Sequence, residues 1–146
     1  MPKLSEKKSI NRIVDANFNR AKEGLRVCEE IVRFILESPV LTQELKEIRH
    51  KIGLLLKTLP NTKELIKGRN SPSDIGRDIY GSELKRKDYR DIFFANIQRV
   101  KESARVLEEF TKIDNIKTAV AFKKIRYSLY NIEKKVVGRF SSSYCR

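Results

Sequence analysis

The chain writes one helix twice. Residues 16–30 read ANFNRAKEGLRVCEE and residues 95–109 read ANIQRVKESARVLEE, identical at nine of fifteen positions. A solenoid needs several stacked units, so a single recurrence at this interval means one supersecondary unit duplicated into a pseudo-symmetric pair. The echo continues into a second helix, where LKEIRHKI of residues 45–52 answers FKKIRYSL of residues 122–129 and pairs Ile48 with Ile125 and Arg49 with Arg126. Each copy is therefore a helical hairpin, spanning about 10–59 and 88–137. No stretch alternates with period two, and the expected fold is all-α, a helical bundle of two pseudo-symmetric hairpins joined by a long functional loop. The chain reads as a single domain over 1–146.

Helical spacing separates what the repeat buries from what it uses. Val14, Phe18, Ala21, Leu25, Cys28, Val32 and Ile35 form an unbroken apolar seam and are expected in the core. The adjacent seam, Ile13, Asn17, Arg20, Gly24, Val27, Ile31 and Phe34, is apolar at its ends and opened in the middle by an amide, a guanidinium and a glycine. The second copy repeats this with Ile92, Asn96, Arg99, Ser103, Val106, Phe110 and Ile113. A helix-interior Gly costs about 1 kcal/mol relative to Ala, and an inward polar group needs a partner. Two polar notches result, and two readings of them stand side by side. In the structural one, Asn and Arg bond carboxylates of the other copy such as Glu23 or Glu102, while Gly24 and Ser103 let two helices approach. In the functional one, the guanidiniums fork onto phosphate or carboxylate of a ligand for which the small residue leaves room.

The second helix carries Leu41, Leu45, Ile48, Ile52, Leu55 and Leu59 on one stripe, with Arg49 and His50, the sole histidine, beside it. Ser38-Pro39 separates it from the first helix, which begins after Ser5 or Ser9 and ends near Leu36. Asp88 or Asp91 caps the third helix. The fourth carries Ala119, Phe122, Ile125, Leu129, Ile132 and Val136, and is expected to stop at Gly138, leaving 138–146 as a frayed or partner-bound tail. Between the hairpins, residues 68–87 form the one long irregular segment. Ile75, Ile79 and Tyr80 offer it packing, Gly76 and Gly81 unusual backbone angles, and Arg69, Asp74 and Arg77 chemistry.

A formal charge of +13 asks for an anionic partner. Nucleic acid is the nearest rival to a small ligand, yet the basic residues are mixed with Glu and Asp along the chain and no nucleic-acid-binding signature is present. Cys28 and Cys145 have no framework or metal spacing, so free thiols in a reducing compartment are expected. With no signal peptide and no long apolar run, the expected location is cytoplasmic, away from membrane.

With these residues identified, the chain resembles the small monofunctional hydroxymethylpyrimidine-phosphate kinases of thiamine biosynthesis. The resemblance rests on DANFNRAKEGLRVCEE, on Arg49-His50, on Arg69 followed by Asp74-Ile75-Gly76, and on ANIQRVKESARVLEEF. It covers nearly the whole chain, departing at Cys28, where Leu is commoner, and at Ile75, where Val is usual. That family's domain is often fused ahead of a thiamine-phosphate synthase; this chain, ending without such a barrel, is expected to be a standalone member. The resemblance implies ATP-dependent, Mg²⁺-assisted phosphorylation of 4-amino-5-hydroxymethyl-2-methylpyrimidine phosphate to its diphosphate.

The roles follow from chemistry. A phosphate oxygen is the nucleophile, so the site needs positioning and charge neutralisation more than a base. Arg69 and Asp74 are the expected catalytic residues, Asp74 holding Mg²⁺ directly or through water, unless the two simply pair with each other. Asn17, Arg20, Glu23, Gly24, Arg49, His50, Gly76, Asn96, Arg99, Glu102 and Arg126 are the expected substrate- or nucleotide-binding set. The copies differ at Gly24 against Ser103 and Leu25 against Ala104, so one notch is expected to take donor and the other acceptor. The loop from Gly68 to Gly81 is expected to close over the reacting phosphates. The sequence leaves open a homodimer that shares the site between subunits.

Overall fold

The chain folds into five α-helices in a computed structural model that describes residues 3–60, 62–78 and 81–144. The expectations for Ile79, Tyr80 and Cys145 lie outside these residues. The helices are α1 (Leu4–Glu30), α2 (Pro39–Thr58), α3 (Thr62–Lys67), α4 (Tyr89–Thr111) and α5 (Ile116–Tyr144). No strand occurs among the described residues, so the all-α class is as expected.

The duplicated helices α1 and α4 pack on each other most extensively, with α2 laid on α1 and α5 on α4. They run antiparallel: Gly24 meets Asn96 and Val100, while further along α1 the Cys28 thiol lies 3.9 Å from the carbonyl oxygen of Phe93, earlier on α4. The apolar seam of α1 forms one side of the core, from Val14 through Val32, and the stripes of α2 and α5 close it. The Phe18 and Phe122 rings meet edge to face at 5.4 Å. Cys28 is fully buried and burial pushes its thiol up to about 12, as expected of a packing residue rather than a nucleophile.

Ile35 departs from the expected seam and is half exposed. The last turn of the helix, Ile31–Ile35, widens to a π-helix, and one extra residue in a turn rotates everything after it off the core face. Leu36 takes the buried place instead. The chain then reverses at Glu37, the sole non-glycine residue with positive φ (50°) among those described. Ser38 serves both helices, donating its N–H to the Val32 carbonyl (3.1 Å) and accepting from Leu41 N–H at its Oγ (3.3 Å).

The final helix does not stop at Gly138. It continues to Tyr144 because Phe140 is buried against the rings of Tyr89, Phe93 and Phe94, and Arg139 donates to the Leu36 carbonyl at 3.1 Å. Burying a Phe side chain yields about 1.5–3 kcal/mol, which exceeds the roughly 1 kcal/mol that a helix-interior Gly costs. Asp88 is the cap of α4, its carboxylate accepting from Arg90 and Asp91 N–H. The connection between the hairpins is more structured than a free loop: α3 turns the chain back toward α1, and short 3₁₀ turns occupy Ser71–Ser73 and Gly81–Leu84. Two expectations for it fail. Ile75 is 98% exposed and packs on nothing, and no described glycine has positive φ, so neither Gly76 nor Gly81 is there for unusual backbone angles.

Candidate functional site

The return of the chain to α1 is fixed by one fork. Arg69, just past α3, donates from Nε to Asp15 Oδ2 at 2.8 Å and from Nη2 to Asp15 Oδ1 at 2.7 Å. Asp15 is buried on α1 and is also approached by the side-chain amide of Asn19, while the Arg69 guanidinium stays about half exposed. A bidentate guanidinium–carboxylate pair sets orientation as well as charge, and the hydrogen bonds that Arg69 donates to Asp15, with the carboxylate's charge, raise the Arg69 pKa further. The expected alternative of an Arg69–Asp74 pair is thereby replaced: the partner is Asp15. Asp74 closes a local turn, accepting the Gly76 N–H at 2.8 Å, and the Arg77 guanidinium donates to the Pro72 carbonyl at 3.2 Å.

Between α1 and this segment lies an open cleft of about 870 Å³. It gathers Asn17, Arg20 and Glu23 of the first notch with Arg69 and Asp74, and adds Arg12 and Ser71. Asn17 spends its amide N–H on the Ile13 carbonyl (2.8 Å) within its own helix. Arg12 and Arg20 make no ion pair with a described carboxylate. Three guanidiniums (Arg12, Arg20, Arg69) face three carboxylates (Asp15, Glu23, Asp74), and Asp15 is committed to Arg69. That balance suits an anion that arrives with a cation. No cluster of three His, Cys, Asp or Glu exists among the described residues. One or two carboxylates plus phosphate oxygens are the usual surroundings of Mg²⁺, and Asp74 and Glu23 are the lining carboxylates not engaged by Arg69.

The second notch is not part of this cleft. Asn96 donates to the Ile92 carbonyl at 2.8 Å, the same bond as in copy one, and Glu102 accepts from Gln98 at 3.0 Å. Arg99 is exposed without an ion pair. Neither Asn bonds a carboxylate of the other copy, so that structural reading fails for both. It holds for Gly24: a Cβ there would lie 2.6 Å from Val100 Cγ2 and 3.1 Å from the Asn96 carbonyl oxygen, so the room it leaves is filled by α4 and not by ligand.

Arg49 and Arg126 are also placed elsewhere, and symmetrically. Arg49 forks onto the buried Glu29 (Nε–Oε2 2.8 Å, Nη2–Oε1 3.3 Å), and Arg126 bonds the buried Glu108 (Nε–Oε2 3.0 Å). Arg26 and Arg105 flank the two carboxylates at 3.7 and 3.6 Å. For Glu29, burial opposes ionisation, but the hydrogen bond from Arg49 and the charges of Arg49, Arg26 and Lys46 outweigh it and hold the carboxyl below its usual range. Arg49 lines a second open cavity of about 510 Å³ between α1 and the start of α2. His50 is exposed and lines neither cavity, and Gly76 sits in the turn that Asp74 closes.

Sequence reasoning missed Asp15, Arg12, Glu29 and Glu108. For Asp15 a signal existed. It directly precedes the repeat, and its counterpart before Ala95 is Phe94, so one copy spends a carboxylate where the other places an apolar ring.

Comparison with known proteins supports the frame. A family model, that of the ThiD2 family, matches residues 12–135. A thiamine-phosphate synthase of Synechocystis sp. is 37% identical over 131 residues, covering 89% of this chain and 37% of that protein. One from Nostoc sp. is 38% identical over 130 residues (88% and 36%), and one from Rhodopirellula baltica 37% over 139 (92% and 37%). The chain thus spans a little over a third of the length of these relatives. No solved structure matches it. This chain belongs to the ThiD2 family.

Proposed function

We propose that this ThiD2-family chain works in thiamine biosynthesis as a kinase, transferring the γ-phosphoryl group of ATP to hydroxymethylpyrimidine phosphate to give the diphosphate and ADP. Membership of the family and the relatives named thiamine-phosphate synthase support the pathway. The observation that carries the reaction type is the cleft that brings three guanidiniums to one face of α1 beside carboxylates free to take a metal.

The acceptor phosphate is ionised near neutral pH, so the protein need not remove a proton from it. Arg69 is held by Asp15 and lines the cleft, where it would neutralise oxygens of the transferring group. Arg12 and Arg20, two turns apart on α1 and unpaired, would bind further phosphate oxygens. Mg²⁺, held by Asp74 and Glu23, would supply charge neutralisation across the nucleotide phosphates. The segment carrying Asn70, Ser71 and Asp74 lines the open cleft opposite α1 and would limit the access of water by folding over bound ligand.

The test is ADP release with ATP, Mg²⁺ and the pyrimidine monophosphate, for wild type and Asp74→Ala. Asp74 is exposed and its carboxylate accepts only the Gly76 N–H, so its removal is expected to lower kcat by about a hundredfold or more while moving the melting temperature little. A variant that turns over normally would remove Asp74 from the metal role. A wild-type protein without turnover that instead binds RNA with a steep salt dependence would replace the kinase by the nucleic-acid reading.

A further inference from the structure

We infer that the second cavity, between α1 and the start of α2, binds the phosphate of a phosphomonoester, and, resting on the kinase reading above, that this is the acceptor. The two cavities are neighbours along one helix. Glu23 lines the first and Arg26 the second, and residues three apart on a helix lie about 5–6 Å apart at Cβ. Arg12, Asn19, Glu23 and Arg26 on α1 and Arg33 in the turn that continues it step at helical spacing, so a single face connects the first cleft to the second cavity. From Asp15 to Arg33 this face is about 27 Å long at 1.5 Å per residue, enough for two phosphate-bearing ligands end to end.

The charge differs between the two. The first cavity is balanced, three guanidiniums against three carboxylates, whereas the second sets Arg26, Arg33, Lys46 and Arg49 against Glu29 and Glu37. Glu29 is already engaged by Arg26 and Arg49, which leaves Arg33 and Lys46 without an ion pair to a described carboxylate. Such a cavity takes an anion without needing a metal, and Ser38, Thr42 and Gln43 on its rim add polar groups.

The internal repeat supplies a control. Lys112 follows Glu109 by three residues as Arg33 follows Glu30, and Lys123 precedes Arg126 by three as Lys46 precedes Arg49. In that copy the frame is partly quenched: Lys112 is spent on Glu109 at 2.9 Å, and Arg126, besides Glu108, donates to the Tyr130 hydroxyl at 3.2 Å. The copies therefore differ at one position of the pair: Lys112 is spent on Glu109 where Arg33 meets only the Phe34 ring, 4.8 Å from its centroid, while Lys123, like Lys46, has no ion pair to a described carboxylate. The division between donor and acceptor then runs along α1, rather than between the two notches.

The experiment is calorimetric titration of the full chain with the pyrimidine monophosphate, with phenyl phosphate as a generic aromatic phosphomonoester, and with Mg²⁺–ADP. Arg33→Ala/Lys46→Ala is expected to weaken both phosphomonoesters by about tenfold or more while leaving Mg²⁺–ADP unchanged. Lys112→Ala/Lys123→Ala, which removes the same net charge from the equivalent places, is expected to change none of the three. Both pairs are exposed, so folding is not at stake. Unchanged phosphomonoester affinity in the first double variant, equal weakening in the second, or no phosphomonoester binding by the wild type would overturn the site. Loss of phenyl phosphate binding in the first variant only, in a protein that never releases ADP, would keep the site and remove the kinase.

Discussion

Two buried glutamates, one per copy, hold the hairpins at their joints. Glu29 and Glu108 are each 4% exposed and each clamped by an arginine of the following helix. Removing one charge from such a buried cluster leaves its guanidinium partner without a counter-charge, which costs more than the pair itself contributes. Glu29→Gln is therefore expected to destabilise the fold by about 1–3 kcal/mol near neutral pH. The sign of its pH dependence follows from the lowered folded pKa. The stabilisation is fully present above the ordinary carboxyl value of 4.5 and is lost as pH falls through the folded value. Melting curves of wild type and Glu29→Gln should converge as pH drops below 4.5; a gap that stayed constant would mean the carboxylate charge is not what the variant lost. At this scale the sequence was partly legible. Asn17, Arg20, Glu23, Arg69 and Asp74 do meet in one cleft, because helical spacing and an unusually polar connection marked them. Arg49 and Arg126 were singled out for the ligand but sit on Glu29 and Glu108. An inward arginine looks the same in sequence whether its partner is a ligand or a carboxylate twenty residues away.

Among the elements, the crossing of α1 and α4 depends on a missing side chain. Gly24→Ala gains about 1 kcal/mol of helix propensity but drives a methyl to 2.6 Å from Val100 Cγ2 and 3.1 Å from a backbone oxygen. Val is stiff at χ1 in a helix and the carbonyl belongs to the opposing backbone, so the overpacking term of about 1–3 kcal/mol dominates. Chemical denaturation should show Gly24→Ala less stable than wild type by about 1–2 kcal/mol. Gly53→Ala, whose Cβ would meet nothing within 4 Å, should be more stable by up to about 1 kcal/mol. Equal shifts for the two would mean that α1 and α4 do not approach as closely as described. The periodicity marked this crossing without deciding it, because a small residue at the same place in both copies, Gly24 and Ser103, is equally read as room for a helix or for a ligand. It could not foretell the π turn at Ile31–Ile35, since the extra residue leaves each neighbouring spacing helical and only the burial of Leu36 in place of Ile35 reveals it. Nor could it give α3, six residues whose helicity rests on Leu65 being buried and not on a stripe of their own.

For the whole molecule, duplication supplies a symmetric scaffold whose surroundings are not symmetric. The first copy receives Asp15, Arg69 and the connection over α1, while the second puts Phe94 at the place of Asp15 and builds an aromatic group with Tyr89, Phe93 and Phe140. This group explains why the last helix overrides Gly138. Glycine is a local signal, and a ring buried two residues later is a tertiary one that single-sequence reading cannot see. The end of α5 also reaches the joint of the first hairpin through Arg139 and the Leu36 carbonyl. It therefore belongs to the cooperative fold, and Phe140→Ala is expected to cost about 3 kcal/mol in denaturant unfolding, as for other buried aromatic truncations. Phe34→Ala provides the contrast, because Phe34 is 62% exposed and should shift stability by less than about 1 kcal/mol. None of the residues lining the cleft is a ring partner of Phe140, so nucleotide affinity of the folded Phe140→Ala protein should stay at the wild-type value. Similar midpoints for the two variants would show that α5 frays after Gly138 in solution, and would return residues 138–144 to the status of a tail.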